Sequence, residues 1–139
     1  MPQQIRQIMS SDPVCLPVAS TVAAAAAAMR DADIGNVIVQ DDGQVCGIVT
    51  DRDIVVRVIA DGQAPEMVKL GEICSQDLTV VSPDDYVDDA VALMRDRALR
   101  RLPVVEGGRP VGMVSLGDLA VERDPESALG GISAAPANT

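Results

Sequence analysis

Apolar and polar positions along the chain follow two periods in turn, and the whole succession occurs twice. Val87, Ala90, Val91 and Met94 recur at intervals of three and four, the spacing of one helical face. They predict a helix over about 84–97, with Asp84 and Asp85 in its first turn and Arg95 and Arg97 in its last, where each charge complements the helix end. An alanine-rich run of high helix propensity predicts its counterpart over about 20–32. Two apolar runs follow each helix: NVIVQ and VCGIVT, then RLPVVE and PVGMVS. DDGQ and EGGR join them, and Asp-Gly or Gly-Gly between apolar runs signals a hairpin. Each copy opens with a short helical lead-in (4–9; 69–74) and a brief extended piece (14–16; 78–81). Each closes with a helix over about 52–61 or 116–122.

A shift of 65 positions superposes the two copies without a gap from Ile8 to Asp53: MRD at Met29 meets MRD at Met94, Gly47 meets Gly112, and Asp53 meets Asp118. One supersecondary unit is therefore written twice. Two copies are too few for a solenoid, so two halves related by a pseudo-two-fold axis are expected, in an α/β (α+β) fold. The expected divisions are a first repeat over 5–60, a linker over 61–68, a second repeat over 69–123, and a small, polar, loosely held tail over 124–139.

Composition narrows the chemistry. Of 139 residues 47% are hydrophobic, with no Trp, no Phe and one Tyr, so the core must be aliphatic. The formal net charge is −10, from 21 acids against 11 bases, which argues against a duplex nucleic-acid partner. One Tyr makes no stacking platform for a single strand either. The chain has no His, and its cysteines (Cys15, Cys46, Cys74) form no C-x-x-C pair, so no metal site is expected and reduced thiols are. No signal peptide and no apolar run of membrane length is visible, which makes the cytoplasm the expected compartment. No catalytic residue is assigned, because nothing in the chain has the form of an activated nucleophile. Asp51 and Asp53 could hold a hydrated Mg²⁺, but Asp51 reads as a surface charge of a first helical turn.

The motif with chemistry in it is GIVTDRD at Gly47–Asp53, echoed by GMVSLGD at Gly112–Asp118. Thr50 with Asp53, and Ser115 with Asp118, have the spacing of a helix capping box. That accounts for the pattern without any function. Two observations favour a site. A strand ending in a hydroxyl at a helix start leaves N–H groups free for an anion, and the same arrangement recurs in both halves, so two such helix starts could face a shared cleft, where a carboxylate can accept from the adjacent hydroxyls of a ribose. Arg100 and Arg101 open the strand RLPVV, where the first copy has Gly35 and Asn36. They read either as charges balanced by nearby acids or as a phosphate clamp, for which the planar guanidinium fork is suited.

Together GIVTDRDI, GMVSLGDL, RRLPVV and the tandem order resemble a CBS-domain pair, or Bateman module, over about 5–122. The resemblance implies two β-α-β-β-α units with clefts between the halves for an adenosine-containing ligand: AMP, ADP, ATP or S-adenosylmethionine, none of them an obligatory cofactor. It implies that Asp53 and Asp118 hold ribose hydroxyls, with Thr50, Ser115 and Arg52 beside them and Arg100 and Arg101 on phosphates. The base would lie against the strand starts of the opposite copy: near Asp77, Thr79 and Val80 for the Asp53 site, and near Asp12, Cys15, Ile34 and Gly35 for the Asp118 site. It also implies a non-catalytic regulatory role and a homodimer formed through helices. With no output domain visible, a separate protein partner would receive the signal. Ile38 in place of Pro103 and Gly117 in place of Arg52 make the two sites unequal, so a structural or interaction module with empty, degenerate sites is the alternative.

Overall fold

The computed structural model describes residues 2–74, 78–123, 132, 134 and 135. Asp77 and the expected loose tail lie outside the described residues. In chain order the elements are β1 (Ser10–Ser11), β2 (Cys15–Pro17), α1 (Val22–Ala32), β3 (Asn36–Asp41), β4 (Gln44–Thr50), α2 (Asp51–Ile54), α3 (Leu70–Ile73), α4 (Val87–Arg97), β5 (Arg101–Glu106), β6 (Arg109–Ser115) and α5 (Leu116–Arg123). Single 3₁₀ turns stand at Ile5–Gln7 and Pro65–Met67.

The chain forms two compact units. One holds the described residues between Val14 and Leu78; the other is split, joining those up to Pro13 with those from Thr79 onward. The 14–78 unit contains the sheet β2-β3-β4, with β2 parallel to β3 and β3 antiparallel to β4. The split unit contains β1-β6-β5, and Val81 bridges β5 in parallel on its other side. Both hairpin turns have positive φ at two successive residues, Asp42–Gly43 and Gly107–Gly108, as a two-residue turn between twisted strands requires.

The helical stripe lands where the periodicity put it. Val87, Ala90 and Met94 are buried on α4, as are Val22, Ala25 and Met29 on α1. Helix α1 starts where Thr21 Oγ1 accepts the Ala24 N–H (3.1 Å). Helix α4 starts later than expected. Asp84 and Asp85 precede it, Asp85 instead accepting the Ser82 N–H (2.9 Å), and the first-turn acids are Asp88 and Asp89. The helix expected over 52–61 is four residues of α2 followed by a π turn, Val55–Ile59, which leaves Val55, Val56 and Ile59 exposed and buries Val58.

The spatial units are not the sequence repeats. Ile5, in the lead-in of the first copy, is fully buried among Val87, Leu102, Val104 and Val114 of the second. Leu70, in the lead-in of the second copy, is fully buried among Val22, Val37, Val39 and Val49 of the first. The backbone bonds match at the 65-residue shift: Ile5 N–H to Asp85 O (2.9 Å) with Leu70 N–H to Ser20 O (2.9 Å), and Arg6 N–H to Pro83 O (3.0 Å) with Gly71 N–H to Val18 O (3.0 Å). This exchange explains a glycine of the repeated motif. A Cβ on Gly112 would stand 2.6 Å from Met9 Sδ and 2.8 Å from the Ser10 carbonyl, so only glycine lets β1 lie along β6.

Candidate functional site

Antiparallel pairing sets the start of one hairpin strand beside the end of the other. In the split unit Arg101 is therefore opposite Ser115, and the Leu116 N–H bonds the Arg100 carbonyl (2.7 Å). The chain at Val81 runs parallel to β5, which brings Thr79 and Val80 to the same sheet edge. In the 14–78 unit the same rule places Asn36 opposite Thr50, the Asp51 N–H on the Gly35 carbonyl (2.9 Å), and Cys15 at the start of β2. Each edge thus gathers a hydroxyl, a carboxylate and a strand start.

Both capping boxes are formed. Thr50 Oγ1 accepts the Asp53 N–H (3.1 Å) and Asp53 Oδ2 accepts the Thr50 N–H (2.9 Å). Ser115 Oγ accepts the Asp118 N–H (3.1 Å) and Asp118 Oδ2 accepts the Ser115 N–H (2.9 Å). Each carboxylate is half-buried and fixed in orientation through one oxygen. Asp118 Oδ1 carries no bond among the described residues, whereas Asp53 Oδ1 faces Arg57 Nε at 3.8 Å. Arg57 also donates to the Ile73 carbonyl (3.0 Å). Arg57 went unnoticed in the sequence, although its i,i+4 spacing from Asp53 is the signal that would have found it. Arg52, the expected neighbour of Asp53, is exposed, and its N–H bonds Asp51 Oδ1 (2.8 Å).

The arginine pair divides. Arg100 is exposed. Arg101 is half-buried, and its Nη1 is fully buried with no hydrogen-bond partner among the described residues. A buried cationic N–H without an acceptor costs free energy on the order of 1–3 kcal/mol or more, so this edge is short of an anion. In the 14–78 unit the same edge has no cation to offer at these positions. A Cβ on Gly35 would meet Asp51 Oδ2 at 3.0 Å, which suits a glycine there.

The Ile38/Pro103 difference also has a local consequence. The Ile38 N–H bonds the Val14 carbonyl (2.9 Å), and β2 forms. Pro103 has no N–H to give Thr79, and only Val81 bridges β5. Thr79 Oγ1 instead accepts from Arg97 Nη1 (3.4 Å), and Val80 is exposed. Asp12 is exposed at a positive φ of 54° just after β1, and Ile34 is exposed, its N–H on the Met29 carbonyl (3.0 Å). Beside Arg100, a pocket of about 620 Å³ opens between α4 and α5, walled by Val91, Met94, Leu99 and Leu119, with Arg95 as its other charged residue.

Burial pushes the thiols of Cys15 and Cys46 above the ordinary value of 9.0. The folded chain then holds these protons more tightly than the unfolded one. The stability they contribute is complete below pH 9.0 and is lost as the pH rises through the higher folded-state values. Under reducing conditions the melting temperature should fall more steeply above that pH in the natural protein than in a Cys15→Ser, Cys46→Val variant.

Comparison with known proteins agrees with this architecture. The family model described as CBS domain matches residues 5–60 and again 70–123. The chain is 34% identical over 122 residues to CBS domain-containing protein YhcV of Bacillus subtilis, spanning 86% of this chain and 84% of that one. It is 34% identical over 116 residues to Hypoxic response protein 1 of Mycobacterium tuberculosis, spanning 83% and 81%. A crystal structure of Hypoxic Response Protein I with two coordinated zinc ions superposes with a TM-score of 0.76 at 32% identity, over 86% of this chain and 98% of that one. A hexameric CBS-CP12 protein from bloom-forming cyanobacteria gives a TM-score of 0.78 at 30% identity, over 90% and 74%.

Proposed function

The chain belongs to the CBS-domain family, and on that premise we propose that it is a non-catalytic regulatory module that binds an adenosine-containing ligand at the edge carrying Arg100, Arg101, Ser115 and Asp118. The observation that carries the reading is the buried Nη1 of Arg101, without a hydrogen-bond partner among the described residues, across the strand pair from Ser115. A phosphate would supply the missing acceptor. Asp118, held by the Ser115 N–H through one oxygen, keeps the other for ribose hydroxyls. Thr79 and Val80, expected beside the base of the Asp53 site, lie at this same edge of the sheet, where Pro103 leaves them unpaired with β5. With Tyr86 the chain's one aromatic residue, aliphatic side chains would have to flank the base. Arg52, Thr50 and Asp53 form the corresponding edge of the 14–78 unit, where Gly35 and Asn36 replace the arginines and Arg57 occupies Asp53. That difference favours an empty or weaker second site and one tight ligand per chain.

Exposed Val55, Val56 and Ile59 in one unit, and the apolar pocket between α4 and α5 in the other, support self-association through helices, as a homodimer. Among the described residues no helix is long and apolar enough to cross a membrane.

The test is a panel of AMP, ADP, ATP and S-adenosylmethionine, read by melting temperature and calorimetry. A ligand present at a hundred times its Kd should stabilise the protein by about 2.7 kcal/mol, with one site per chain. Folded protein that gives neither heat nor a shift with any of the four would leave the structural module as the better reading.

A further inference from the structure

Two of the three cysteines belong to one core. Cys46 is the extra residue of a bulge in β4, since Val39 faces Gly47 while Gln40 faces Val45. The bulge turns its half-buried thiol toward the core, where it donates to the Val39 carbonyl (3.4 Å). Cys74 follows α3, buried in the apolar cluster against which Cys46 packs. The other repeat supplies an independent check on this placement. There the corresponding residues are Val111, the extra residue of the β6 bulge, and Met9, whose sulfur lies where a Cβ on neighbouring Gly112 would stand. Both pack into one cluster. The end of the exchanged lead-in therefore touches the bulge in each unit, and only the 14–78 unit has sulfhydryls at both positions.

We propose that Cys46 and Cys74 are an oxidisable dithiol that a low-molecular-weight disulfide converts to an intramolecular bridge between β4 and the end of α3. The Cys46 thiolate attacks the small disulfide and displaces one thiol. The Cys74 thiolate then attacks the mixed disulfide at the Cys46 sulfur and displaces the second. Two cysteine thiols and one small disulfide become one protein disulfide and two small thiols, so the protein gives up two electrons and two protons and the reagent takes them. Cys46 is the entry point because Cys74 is buried. The bridge would staple the exchanged lead-in into its core at the residue after Ile73, whose carbonyl Arg57 holds while facing Asp53. The raised thiol pKa makes the reaction slow near neutrality and faster as the solution becomes alkaline.

Reduced full-length protein should be incubated with oxidised glutathione at mildly alkaline pH and digested without reduction. The expected product is a Cys46–Cys74 linked peptide, lighter by two hydrogens than the sum of its parts, with Cys15 still alkylatable. The melting temperature should rise by roughly 10 °C and return on adding dithiothreitol, because a bridge closing a loop of this length restricts the unfolded chain. Cys46→Val, which copies Val111, should abolish both changes; Cys15→Ser should abolish neither. Cys46 and Cys74 remaining alkylatable, a stable glutathione adduct on Cys46, or a link through Cys15 would each overturn the proposal. The peptide map of the natural protein decides the matter even if a variant folds poorly.

Discussion

Ile5→Ala is expected to loosen the hairpin β5–β6, a hundred residues away in the chain, and to leave β3–β4 protected. Leu70→Ala should do the reverse. Each substitution removes a fully buried branched side chain from a core built mainly by the other repeat, and such truncations cost about 2–5 kcal/mol. The lead-ins are held by backbone bonds as well, Val87 N–H to Gln3 O (2.9 Å) in one unit and Val22 N–H to Val68 O (2.8 Å) in the other. Losing the side chain should therefore release the whole segment, β1 included for Ile5→Ala. Amide hydrogen exchange resolved by strand is the measurement. If Ile5→Ala raised exchange in β3–β4 instead, the exchanged arrangement of the lead-ins would be wrong.

Arg101→Ala should lower affinity for a phosphate-bearing ligand 10- to 100-fold while leaving the melting temperature unchanged or higher. A charge-assisted hydrogen bond is worth about 1.5–3 kcal/mol, and the ligand-free protein makes none at Nη1 among the described residues. Removing the guanidinium thus relieves an uncompensated group rather than breaking a contact. Asp118→Asn should weaken binding at least as much, with about 1 kcal/mol of stability lost through the cap. The opposite balance for both variants, stability lost and affinity kept, would mean that these residues serve the fold alone. Calorimetry beside thermal melts separates the two outcomes.

Helices, hairpins and both capping boxes were legible because they are local. Thr50 reaches Asp53 three residues away, and the Asp42–Gly43 turn is closed by its own backbone preference. Where local signals were weak, boundaries moved. Asp84 and Asp85 have the charge for a first turn, but Arg6 pairs with Asp84 and the Ser82 N–H takes Asp85, so α4 begins after them. The β-branched run Val55–Val56 continues α2 as a π turn, and periodicity alone does not distinguish that from an α-helix.

The candidate site was legible as a motif and as an arginine pair, but not as an arrangement. The sequence alone determined that one unit is written twice, that its core is aliphatic, that each β4-type strand ends in a capped helix, and that only the second copy carries adjacent arginines. The tertiary structure decided which core each lead-in enters, that Arg57 faces Asp53 while Arg101 Nη1 has no acceptor among the described residues, and that Cys46 and Cys74 share one core. The reason is physical. Hydrophobic periodicity says that a face will be buried but not against what, and two repeats of the same pattern offer each lead-in two equally apolar cores. Only packing and backbone pairing across distant positions distinguish them.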